Sequence, residues 1–338
     1  MWDNNIMTIN SDQFQWPPLG QDRAVSFLKK SILSGKLTQS YIFSGPKDLG
    51  KTSLALAFAR NLWNFDRQTE SVNNNFSSLN TDLSILEKEA DKKQIGVEQA
   101  REFVKKLGLS SFLNSYKVGI IKDAELLSVE AQNALLKTLE EPREKVIIIL
   151  ITENVELLAP TITSRAQVLY FYPVSTAAVY DYLLASSEIN RSLAKEIAAA
   201  AMGRPLQALH WLEEPEDYRV QMELVEQLFN FINSDLGGRL DLIGSLTKAK
   251  DFSAEKAEVY LHIWEGLWHD ALLISLGHED HLRYPNFREA WQQYFQKNAD
   301  GDESYRAFIN LKQLQKSGEY LRGFVSPKSV LESLSLYF

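Results

Sequence analysis

Apolar positions along the first half of the chain fall into two alternating rhythms. Short runs rich in β-branched and aromatic residues predict strands at 41–43, 84–86, 117–121, 146–151 and 166–171. Between them, apolar residues spaced three and four apart predict helices at 21–33, 53–63, 96–107 and 129–139. Strands alternating with helices predict a parallel sheet covered on both faces. After Pro173 the strand signals stop. Helices are predicted at 175–185, 192–200 and 206–212, followed by helical periodicity to Phe338 with breaks at 237–238, 277–281, 298–302 and 326–329.

This pattern divides the chain into an α/β domain over 1–172, a small helical domain over 173–212 and an all-helical domain over 213–338. The stretch NFDRQTESVNNNFSSLNT, residues 64–81, is polar and without period, which predicts a surface insertion. Trp264, Trp268, Trp291 and Tyr294 give the last domain large rings to bury, either in its own core or at contacts with other subunits.

Composition narrows the class. A chain of 338 residues with 45% hydrophobic and 24% charged residues is large enough for two or three globular domains. The net charge of -8 argues against binding nucleic acid through bulk charge and leaves room only for a local basic patch. The absence of cysteine excludes disulfides, thiolate zinc sites and a cysteine nucleophile, and five scattered histidines make a poor metal site. The first residues have neither the basic region nor the apolar core of a signal peptide. The most apolar run, VIIILI at 146–151, is strand-sized, so no membrane association and a cytoplasmic location are expected.

The chemistry concentrates at GPKDLGKT, residues 45–52, which fits the phosphate loop G-x-x-x-x-G-K-[ST] and lies between a predicted strand and a predicted helix. Gly45 and Gly50 shape the loop, backbone N–H groups cradle phosphates, Lys51 reaches the outer ones and the Thr52 hydroxyl is placed for Mg²⁺. ATP or ADP is the expected ligand.

From Ser128 the chain reads SVEAQNALLKTLEEPREKVIIILITENVELLAPTITSRAQVLYF. Together with GQDRAVSFLKKSILSGKLTQSYIFSGP upstream, this resembles the clamp-loader branch of the AAA+ ATPases, and within it the bacterial delta-prime subunits of DNA polymerase III. The likeness covers 19–171. Read as a bare helix, NALLKTLEEP would turn Ala134, Leu135, Leu136 and Leu139 inward and end at Pro142. The resemblance implies a P-loop AAA+ domain, a helical lid and an all-α C-terminal collar that carries oligomerisation. It also implies partners: an ATPase motor subunit, a delta-like subunit and, through the complex, the sliding clamp and primed DNA.

Aligned with the family's ATPase subunits, Lys122 stands where an Asp holds the metal and Asp123 where a Glu activates water; a one-residue shift would instead make Asp123 the metal ligand. An ammonium at the metal position repels Mg²⁺, so the loop is expected to hold nucleotide without a well-held metal and with little hydrolysis. The family's sensor Arg is replaced by Gln207, with Arg204 as a substitute only if the preceding turn is rearranged. Thr152 or Asn154 is the candidate polar sensor at the end of the fourth strand, or else satisfies strand-end backbone groups. Ser164-Arg165 is intact, and the resemblance makes Arg165 an arginine finger acting in trans on a neighbour's nucleotide. The family's four-cysteine zinc module has no counterpart, so no zinc is expected. The alternatives are an active motor subunit of the same complex and an AAA+ adaptor outside replication.

Overall fold

The computed structural model describes residues 14–17, 20–68, 82–109, 111, 115–141, 143–248, 252–298, 301–323 and 325–338. The chain forms two compact units: Met1–Val174 with Arg204–Leu206, and Ser175–Gly203 with Gln207–Phe338.

The first unit is a five-stranded sheet built from β1 (Ser40–Ser44), β2 (Leu83–Leu86), β3 (Lys117–Ile121), β4 (Val146–Thr152) and β5 (Gln167–Tyr170), in the order β2-β3-β4-β1-β5 with every pair parallel. β4 is apolar at each of its first six positions because it is buried on both faces. Ile147, Ile149 and Ile151 join one core cluster with Tyr41 and Phe43, whereas Val146, Ile148 and Leu150 join the other with Ile42. Helices α1 (Asp22–Ser34) and α2 (Lys51–Gln68) supply Leu28, Ile32, Leu54, Phe58 and Leu62 to the first cluster. Helices α3 (Val97–Leu107) and α4 (Val129–Glu140) supply Phe103, Leu107, Leu135 and Leu139 to the second. Gly119 in β3 lets α3 approach closely, since a Cβ there would lie 2.6 Å from Cζ of Phe103 and 2.9 Å from a Leu107 methyl.

The candidate acidic segment, Lys122 and Asp123, follows β3, and β4 lies between β3 and β1. Two local expectations change. Helix α2 runs on to Gln68, so 64–68 are helical rather than part of an insertion; Phe65 packs on the first core cluster and stacks with Phe14 at 6.3 Å between ring centres. Residues 69–81 lie outside the described residues, as does Pro142. In the NALLKTLEEP helix Leu135 and Leu139 are fully inward, while Ala134 and Leu136 flank the same cluster half-buried.

The second unit is helical among its described residues. It comprises α6 (Thr176–Ser186), α7 (Arg191–Ala200), the greater part of α8 (Pro205–Glu213), α9 (Pro215–Asn233), α10 (Leu236–Thr247), α11 (Ala254–Ser275), α12 (Arg288–Lys297), α13 (Glu303–Arg322) and α14 (Pro327–Leu334). The short α5 (Pro160–Thr163) belongs to the first unit. The Gly237–Gly238 pair does not break the chain: both lie in the first turn of α10, where Asp235 Oδ1 accepts the Gly238 N–H at 2.9 Å and offsets the glycine cost. Trp264, Trp268 and Trp291 are completely buried, which places these rings in the unit's own core. Phe338 lies 5.4 Å from Trp264 and 5.5 Å from Trp268 between ring centres. The Trp264 N–H donates to the Leu228 carbonyl at 3.0 Å. Asp270, 1% exposed, accepts the backbone N–H groups of Arg283 and Tyr284 at 2.8 and 2.7 Å, tying the connection after α11 to that helix. Among the described residues no helix is long and apolar enough to cross a membrane.

Candidate functional site

The loop after β1 is shaped by its glycines and anchored by one leucine. Gly45 has φ 151°, and a Cβ there would lie 2.4 Å from the Phe171 carbonyl oxygen at the end of β5. Gly50 has φ 81° and open space where a side chain would be. Leu49, 1% exposed, plugs the loop into the first core cluster. The Gly45 N–H donates to the Thr152 carbonyl at 3.2 Å, fixing the loop to the end of β4.

Helix α2 opens on Lys51 and Thr52, so both sit in the first turn, where backbone N–H groups and the helix dipole favour anions. Lys51 is buried, and its ammonium donates to the carbonyls of Gly45 and Pro46, the latter at 2.6 Å. Burial holds its pKa below the ordinary lysine value, opposed by the carboxylates of Glu153, Glu125, Asp123 and Asp48. Thr52 is half-buried. Lys47, near the loop tip, lies 3.0 Å from Glu153, and that hydrogen bond raises its pKa.

Lys122 does not turn to the loop lysines' carboxylates. Its Nζ lies 2.6 Å from Glu87 Oε2, just past β2, and its backbone N–H donates to Leu86. Asp123 is exposed, with φ 47°, and precedes a short 3-10 turn at Ala124–Leu126. Thr152, 1% exposed, donates to the Asn154 carbonyl at 3.0 Å, and the Asn154 side chain accepts the Glu156 N–H at 2.9 Å. Both side chains therefore satisfy nearby backbone. The side chain that reaches a loop lysine from this strand end is Glu153, which the sequence reading passed over. Strand alternation carried the signal: with Thr152 turned inward, the next residue turns outward. Glu125 adds a second unforeseen acid, its Oε1 accepting the Glu153 N–H at 3.3 Å and its Oε2 buried with no hydrogen-bond partner among the described residues. No group of three or more metal-ligating side chains converges among the described residues.

Arg165 lies between α5 and β5. Its Nη2 is 2.7 Å from Glu140 Oε1 near the end of α4, and its Nη1 donates to the Thr161 carbonyl at 2.9 Å and to Ser164 Oγ at 3.2 Å. Arg204 precedes α8 and groups with the first unit, whereas Gln207 groups with the second and is half-buried.

This arrangement can hold phosphate at the start of α2 and gives no side chain at position 122 for a cation. Residues 20–175 match the family model described as DNA polymerase III, delta subunit. Over 283 residues the chain is 28% identical to the DNA polymerase III subunit delta' of Bacillus subtilis, covering 81% of this chain and 84% of that one. Over most of its length the chain is thus similar to subunits of DNA polymerase III. The chain is also 32% identical over 206 residues to the tau subunit of the same organism, covering 58% of this chain and 36% of that longer protein. Among solved structures, a gamma subunit-related protein of Thermotoga maritima aligns at a TM-score of 0.47 and 17% identity, covering 91% of this chain and 97% of that one.

Proposed function

We propose that this chain is a delta-prime-like clamp-loader subunit that does not itself hydrolyse ATP. It occupies a hetero-oligomeric ring, presents Arg165 to the nucleotide of a neighbouring ATPase subunit and helps load the sliding clamp onto primed DNA. The observation that carries the reading is the Lys122–Glu87 pair at 2.6 Å. Where metal-assisted phosphoryl transfer needs a carboxylate free to hold Mg²⁺, this chain has a cation whose own partner lies just past the neighbouring strand.

In this reading the loop binds ATP or ADP through its backbone N–H groups and Lys51, and Mg²⁺ is poorly held. Arg165 is exposed enough to change partners. Its bond to Glu140 is a surface pair, worth about 1 kcal/mol or less, so a more highly charged phosphoryl group can displace it. Residues 173–212 form the lid, and residues 213–338 form the collar that holds the ring together.

The likeness to the tau subunit favours a second reading, an active motor subunit. One assay separates the two: ATP hydrolysis by the purified chain alone and then within the reconstituted complex. Turnover by the isolated chain would overturn the non-hydrolysing assignment.

A further inference from the structure

We propose that Glu153 makes the phosphate loop of this subunit prefer nucleoside diphosphates over triphosphates, by keeping a carboxylate where the third phosphate would compete for Lys47. The proposal rests on the reading of 45–52 as a nucleotide-holding loop and names which nucleotide it holds.

The carboxylate is placed beside the loop by its backbone and by a surface ion pair with Lys47. β4 lies directly beside β1, with Thr152 in register with Ser44, so Glu153 follows the strand end level with Gly45. Its backbone is held by two neighbours in sequence and space: the Thr152 carbonyl accepts from Gly45 at 3.2 Å, and the Glu153 N–H donates to Glu125 at 3.3 Å. Its head group meets Lys47 Nζ at 3.0 Å. Glu153 is thus an internal anion already seated on a loop lysine.

The surrounding charge works in the same direction. Glu153, Asp123 and Glu125 all act electrostatically on both Lys47 and Lys51, and Asp48 acts on Lys51 as well, so carboxylates outnumber the two loop ammonium groups. The ammonium of Lys122 is committed to Glu87. A diphosphate needs only the loop N–H groups and Lys51. A third phosphate brings further negative charge into this balance and must share Lys47 with Glu153, which weakens binding; a tenfold loss of affinity needs only about 1.4 kcal/mol of such repulsion.

The test is binding of ADP and of ATP to the full chain without Mg²⁺, so that no metal offsets the charge, measured by titration calorimetry on wild type, Glu153→Gln and Glu153→Asp. Thermal melts check that each variant is folded. Wild type should bind ADP about tenfold more tightly than ATP. Glu153→Gln should bring the two affinities to within about threefold by strengthening ATP, and Glu153→Asp, which keeps the charge, should retain most of the preference. Equal affinities in wild type overturn the proposal without any variant being needed. So does a ratio unchanged in Glu153→Gln, or binding of neither nucleotide by either protein. None of these results bears on hydrolysis by the isolated chain, so this inference and the non-hydrolysing assignment fail separately.

Discussion

Glu140 and Arg165 form an ion pair at 2.7 Å, joining the end of the NALLKTLEEP helix to the Ser-Arg element. Two motifs separated in sequence are thereby one device. The helix end orients the guanidinium, which also donates to the Thr161 carbonyl, so two of its nitrogens are directed before any partner arrives.

Arg165→Ala should therefore leave the chain folded and the complex assembled while lowering DNA-stimulated ATP hydrolysis and clamp loading. Arginine fingers are worth about 10³ to 10⁵ in rate at the site they serve. Total turnover of a complex with several sites should fall by less. Arg165→Lys should rescue poorly because an ammonium lacks the planar fork, and Glu140→Gln should give an intermediate loss. Reconstituted complexes compared side by side provide the measurement; wild-type loading by the Ala complex would reduce Arg165 to a surface residue.

Lys122→Asp should not create a motor. The new carboxylate would stand close to Glu87, its former partner, while Glu153 and Glu125 remain around the loop lysines. Steady-state phosphate release by the purified variant should stay at the wild-type background. A clear gain in turnover would show that the metal position alone limits hydrolysis.

Gly119→Ala should destabilise the first unit by about 1–3 kcal/mol, the usual cost of forcing an extra carbon into a filled core. The added Cβ would strike Phe103 and Leu107, whose helix would have to move away from β3. Urea denaturation followed by probes specific to each unit would read this, and a midpoint within error of wild type would contradict the close packing.

Deleting the residues after Leu212 should abolish ring assembly and leave the α/β unit folded, since that unit has its own two core clusters. Size-exclusion chromatography with the partner subunits, alongside circular dichroism of the truncated chain, checks both halves of the statement. Assembly that survived the deletion would remove the collar role.

His262 gives a pH signature. The hydrogen bond that His262 Nδ1 donates to Glu265, at 3.0 Å, raises its pKa above the ordinary 6.5. Because the folded value exceeds the unfolded one, the pair stabilises fully below about pH 6.5 and loses that contribution as pH rises through the raised value. Wild type should melt slightly higher than His262→Gln at about pH 5.5, with the gap closing as pH rises through the raised value. A gap that widened with rising pH would reverse the sign.

The strands and most helix limits were legible because each is set by local period: β4 is apolar throughout since both faces are covered, and the ends of α3 fall where Gly96 and Gly108 stand. What depends on distant pairing was not. Nothing within Lys117–Ile121 reveals that another strand separates it from β1. At the site, the loop motif was readable residue by residue, but Glu153 was overshadowed by its neighbours Thr152 and Asn154, whose hydroxyl and amide looked more like sensors than a carboxylate did. Their side chains serve local backbone groups, a role visible only from geometry. The Gly237–Gly238 pair misled for a related reason, since the compensating cap from Asp235 is a contact and not a composition.

The placing of β1 between β4 and β5 also bears on how the chain is made. Ser40–Ser44 leaves the ribosome more than 100 residues ahead of its two partner strands, Val146–Thr152 and Gln167–Tyr170. At roughly 5–20 residues per second, this buried run of SYIFS waits several seconds with both edges unpaired. Non-local pairing of this kind also slows closure of the sheet once the strands are present. During translation the nascent phosphate-loop strand is therefore an aggregation-prone segment that nascent-chain chaperones can shield until the fifth strand emerges.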